Sequence, residues 1–196
     1  MNKIKDARLA FTSANAFLEH AKPFYEDVKR SKKPYEMTLK KVGNLASSAT
    51  NLTFAVELYL KSYRIIVGES YISNHNLFQQ FEKLPDKHKN EIRKRYFNLL
   101  VATNDNALQD LNLLIKSEQK QITKQEYSKG DNESKTIDEV LRRSSGKFTI
   151  WRYIFDSHEK GKKFTKVKIE YGHLLLICKV FKSLINEMAK GDNLDL

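Results

Sequence analysis

Residues 42–68, VGNLASSATNLTFAVELYLKSYRIIVG, decide the fold. Val42, Leu45, Ala49, Leu52, Val56, Tyr59, Tyr63 and Ile66 recur at three- to four-residue steps over about seven turns, the period of a helix with one buried face. Gly68 then supplies a C-terminal stop. Upstream, Ala7, Ala10, Ala14, Phe17, Ala21, Phe24 and Val28 keep the same period and predict a helix over 5–29. Pro23 inside it predicts a kink or a restart. The basic turn KRSKKP (29–34) joins the two, so they should pack antiparallel.

Downstream, Asn76 and Gln79 suit the N-cap and N3 positions of a short helix. Leu84-Pro85-Asp86 ends it and opens another over 86–101. Leu108, Leu111, Leu114 and Ile115 predict a helix over 105–119, and the polar stretch 120–136 reads as a loop. TIDEVLRR and FTIWRYIFD read as short helices. Val167, Ile169 and Tyr171 alternate weakly, and that basic stretch is assigned to loop. Leu174, Ile177, Phe181, Leu184, Ile185 and Met188 mark a last helix over 170–190, with 191–196 as a frayed tail. The sum is an all-α antiparallel bundle of five to seven helices, one domain over 1–190.

Composition agrees. The chain has 196 residues but only 7 glycines and 3 prolines, too few turn formers for a sandwich or barrel. Cys178 stands alone, which excludes an internal disulfide framework and a Cys-rich zinc site. The N-terminus lacks the apolar run of a secretory signal. LLLICKVF (174–181), the most apolar stretch, is far short of the ~20 residues that span a membrane. A cytoplasmic protein without membrane contact is expected.

Charge narrows the partners. The chain carries 35 Lys+Arg against 24 Asp+Glu, a net +11, which favours a polyanion such as nucleic acid. Basic minus acidic residues give 10 − 5 over 1–50, 8 − 5 over 51–100, 8 − 8 over 101–150 and 9 − 6 over 151–196. The excess is therefore no single tail.

Three groups of residues can carry chemistry. Glu57, Lys61 and Arg64 fall near one helical face, and Glu57 and Lys61 sit among apolar neighbours where a charge needs a partner. They are either an ion pair on a wet face or a functional cluster. His75 precedes the short helix; it either fixes the loop or acts as an acid/base near neutral pH. Arg152 and His158 could face one cleft. A histidine beside an arginine suits metal-free RNA cleavage: His removes the 2′-hydroxyl proton and Arg holds the phosphoryl charge. Lys160, Lys162, Lys163, Lys166 and Lys168, with Phe164 among them, could follow a phosphate backbone. Alternatively Arg152 pairs with Asp156 or Glu57 as a structural ion pair. His20, His88 and His173 join no motif. No spaced His/Asp set predicts a metal, and no glycine-rich loop predicts a cofactor.

Together these residues resemble the HEPN-like proteins. Glu57-x3-Lys61 followed by His75-Asn76-Leu77 is similar to their second helix and the turn after it. Trp151-Arg152-Tyr153, with Asp156, is similar to a WRY segment of one bacterial branch. The resemblance implies an antiparallel bundle that forms a homodimer. It also implies RNA-directed action, in many members as a ribonuclease of toxin–antitoxin or phage-defence systems, with an antitoxin partner in the former. There the site is an Arg and a His four to six residues apart, and Arg152 and His158 meet that spacing. Tyr153 stands where the nucleases usually carry Asn. The alternative is a non-catalytic dimerising module that binds nucleotide, RNA or a partner protein through Glu57, Lys61, His75 and Arg152.

Overall fold

The structure, a computed structural model, describes residues 3–30, 39–70, 73–103, 110–118, 121–129, 135–146 and 164–191. Among them are six helices: α1 (Lys3–Arg30), α2 (Leu39–Ile66), α3 (Leu77–Glu82), α4 (Asp86–Ala102), α5 (Ile137–Ser144) and α6 (Tyr171–Gly191). Three strands accompany them: β1 (Leu111–Glu118), β2 (Gln121–Lys129) and β3 (Phe164–Ile169). The fold is an all-α helical bundle that carries a small sheet.

α1 and α2 form its spine. Ala7 pairs with Ser62, Asn15 with Tyr59 and Ala21 with Ser48, so the two helices run antiparallel. The buried stripe of α1 is Ala7, Phe11, Ala14, Leu18 and Ala21, a 4-3-4-3 spacing. Phe17, expected in that stripe, sits beside it against Phe54, with ring centroids 5.6 Å apart. Alanine at every seventh position lets the backbones approach. The hydroxyls of Ser48 and Ser62 can then donate to the α1 carbonyls of Ala21 and Ala7 at 2.6 and 2.9 Å. Pro23 lies within one continuous α1. α2 buries Leu45, Ala49, Leu52, Val56, Tyr59 and Tyr63, as their period predicts.

α6 fills the groove beside this pair. Tyr171 at its start hydrogen-bonds Ser48, and Phe181 packs edge-on against Tyr63, so α6 runs in the direction of α2. Its buried Leu174, Ile177, Val180, Phe181, Leu184 and Ile185 complete one core with Leu77, Phe81, Ile92, Val140 and Leu141 from the shorter helices. Burial of each large side chain contributes about 1.5–3 kcal/mol before conformational entropy is counted.

The sheet corrects three expectations. Residues 111–118 form β1, where the leucine spacing predicted helix. The stretch read as loop over 120–136 contains β2, and the basic stretch assigned to loop contains β3. The order is β2-β1-β3, antiparallel throughout, with Leu111 opposite both Lys129 and Ile169. Short apolar runs fit helix or strand equally, and the choice falls to pairing with a strand some fifty residues away that local periodicity cannot register. β2 occupies an edge of the sheet.

Candidate functional site

Everything around His75 is built to hold a loop against α2. α2 ends at Ile66, and the turn after it passes through Gly68, whose φ of 87° suits a residue without a side chain. The Gly68 amide donates to the Ile65 carbonyl and the Glu69 amide to that of Arg64, closing the helix in a Schellman-type turn. The chain then reverses under Arg64. This arginine is 2% exposed. Its Nε and Nη2 donate to the Ser70 carbonyl at 3.0 and 2.6 Å, and Nη1 donates to the Gln80 carbonyl at 2.8 Å. Burial lowers its pKa from the usual value, partly offset by Glu69.

The far side of the loop is fixed as firmly. Asn76 caps α3, its side chain accepting from the Gln79 amide at 2.9 Å, as the spacing predicts. Asn74 accepts from the Asn76 amide, and Gln80 Nε2 donates to the Asn74 carbonyl. His75 lies between these two asparagines, so both its neighbours are pinned.

The result is a three-residue cluster. Glu57, 4% exposed at its side chain, receives Lys61 Nζ at 2.5 Å from the next turn of α2. His75 Nδ1 lies 2.9 Å from Glu57 Oε2 and 3.1 Å from Oε1. The His75 side chain is 50% exposed and that of Lys61 18%. The imidazole also meets the Phe54 ring edge-on, with centroids 6.5 Å apart. An ionised carboxylate only accepts hydrogen bonds, so Nδ1 carries the proton in the neutral ring and Nε2 is its basic atom. A buried carboxylate orienting a half-exposed imidazole is the arrangement that general acid/base chemistry uses.

Glu57 thus meets the His75 loop and Lys61 is held on Glu57, but the functional prospects of the other predicted residues differ. Arg152, Tyr153, Asp156, His158, Lys160, Lys162 and Lys163 lie outside the described residues, as does the resemblance's WRY segment. Lys166 is placed only as a β3 position opposite Leu114. Lys168 pairs in register with Asn112 and brings its Nζ to 3.2 Å from Asp110. Arg64, which shares a helical face with Glu57 and Lys61, is turned into the core as a loop anchor.

A second polar region lies apart from the residues that the sequence pattern singles out. Asp110, at the entry to β1, is fully buried and pairs with the buried Lys135 as well as with Lys168. Arg93 grips both oxygens of Asp138 at 2.7 and 2.9 Å. The readable signal was Thr136-x-x-Glu139, a capping box that places α5. Two of the three histidines that join no motif have tyrosine partners: Tyr63 with His88 at 2.9 Å, and Tyr96 with His173 at 2.7 Å. Burial pushes the Tyr63 hydroxyl up to about 12. Among the described residues, no three His, Cys, Asp or Glu side chains gather as a metal-binding group, and no helix is long and apolar enough to cross a membrane. Compared with family models, curated proteins and solved structures, the chain matches none.

Proposed function

We propose that this protein acts on RNA as a metal-independent endoribonuclease of the HEPN-like type, in a toxin–antitoxin or phage-defence role and as a cytoplasmic homodimer. One observation carries the catalytic part: Glu57 and His75 form an oriented carboxylate–imidazole pair on a half-exposed surface of a +11 chain. RNA contains its own nucleophile, so the chemistry needs a base and a charge stabiliser. His75 Nε2 takes the 2′-hydroxyl proton as O2′ bonds to phosphorus. The P–O5′ bond breaks, and the departing oxygen takes up a proton. The products are a 2′,3′-cyclic phosphate and a 5′-hydroxyl end. Arg152 stabilises the charge on the phosphoryl oxygens. His75 is favoured over His158 as the base because Glu57 sets its tautomer.

Incubation with total RNA in EDTA, beside Arg152→Ala and His75→Ala, tests the reading. Cleavage that the Arg152→Ala variant loses supports it. RNA left intact by the unaltered protein ends it. Glu57 also favours a second reading, since its two bonds equally suit a polar cluster that only fixes the loop. The protein would then be a non-catalytic module, binding RNA with an affinity that falls steeply as salt rises but never cutting it.

A further inference from the structure

A cavity of about 290 Å3 lies between α4 and the start of α5, away from His75. Tyr96, Phe97, Leu100 and Ile137 supply its apolar wall, and Arg93 and Lys135 its polar edge. The volume is at the small end for ligand sites, which run from ~300 Å3 upward, and it suits one or two fused rings. Part of the wall is preformed. The Tyr96 hydroxyl is tied to His173 Nδ1 at 2.7 Å, which fixes its ring. Phe97 is a further aromatic surface, and it is 62% exposed. Val101, one turn on, is 71% exposed. A solvent-facing helix surface that otherwise carries Asp86, Asn90, Arg93 and Lys94 has no folding need for either.

Charge decides the ligand class. Arg93 is neutralised by both oxygens of Asp138, and Lys135 by Asp110. An anion entering the cavity would lose its hydration and meet cations already paired, and a cation would meet carboxylates already paired. The geometry points to a binding site for a small, neutral, aromatic molecule, held against Tyr96 and Phe97.

Indole and benzamide, titrated into the full chain and followed by saturation-transfer and amide chemical-shift NMR, are suitable probes. Benzoate and benzylamine are the charged comparators. The neutral pair should bind saturably with shifts confined to α4 and the start of α5, and both charged compounds should bind about tenfold more weakly. Phe97→Ala changes an exposed position and should weaken indole about tenfold while leaving the thermal transition in place. Leu100→Trp should fill the space and abolish binding. Three results would each overturn the site: no saturable binding of indole or benzamide, indole binding unchanged in Phe97→Ala, or benzoate binding as tightly as benzamide.

Discussion

Glu57 grips the Nδ1 of His75 with both carboxylate oxygens, at 2.9 and 3.1 Å, across the 18 residues that separate them in sequence. The pair ties α2 to the loop before α3 and dictates which imidazole nitrogen is basic.

That dictation can be measured. With the ring neutral, 15N NMR of His75 should show the proton on Nδ1. In Glu57→Ala the ring should revert to the Nε2-protonated form that free imidazole side chains prefer. An unaltered tautomer in the variant would mean that Glu57 does not orient the ring.

Lys61 should matter to stability because Glu57 is nearly inaccessible. Lys61→Met leaves a buried carboxylate with His75 as its remaining partner, at a cost of about 1–3 kcal/mol in urea unfolding. A variant as stable as the parent would make the pair a solvated one worth a few tenths of a kcal/mol (roughly).

Arg64 carries a sharper expectation. Its planar fork meets two carbonyls on opposite sides of the turn, Ser70 and Gln80. A lysine offers a point charge in place of that fork, so Arg64→Lys should cost about 2 kcal/mol or more. Proteolysis should then open first at the loop preceding His75.

Acid should loosen α5 from α4. The hydrogen bond from Arg93 holds the Asp138 carboxyl below its usual range, outweighing burial. Because the folded-state value is depressed, the stability it adds is present above the ordinary aspartate range, near pH ~4, and is lost as pH falls below it toward the folded value. Asp138→Asn should remove this part of the acid dependence and lower stability at neutral pH by about 1 kcal/mol. Superimposable acid profiles for parent and variant would contradict the assignment.

Cys178 should be silent. Its thiol is buried on α6, and burial raises its pKa above the ordinary value. A thiol reagent should label it only after denaturation; prompt labelling of the native protein would contradict its packing.

How far the sequence could be read follows from which interactions are local. α2 was legible because one unbroken stripe runs through it, and the Asn76 cap because capping acts within three residues. The Glu57–Lys61 pair was legible for the same reason. Glu57 with His75 needed only the turn between them. β1 and β3 were not legible, since Leu111 becomes a strand residue by pairing with Ile169, 58 positions on. Asp110 and Lys168 meet through the same pairing, and Lys135 joins Asp110 from the chain just before α5. Arg64 shows the limit from the other side: helical spacing put it on the face of Glu57, and the loop's unsatisfied carbonyls drew it inward.

Cleavage of total RNA in EDTA by the unaltered protein, His75→Ala and Glu57→Gln, each first shown to be folded, is the decisive test of His75 as the general base. The unaltered protein should leave cyclic-phosphate ends. Cleavage should fall by about 10²–10⁴-fold in His75→Ala, as for loss of a general base, and by less in Glu57→Gln. Equal cleavage by all three, or none by any, would contradict it.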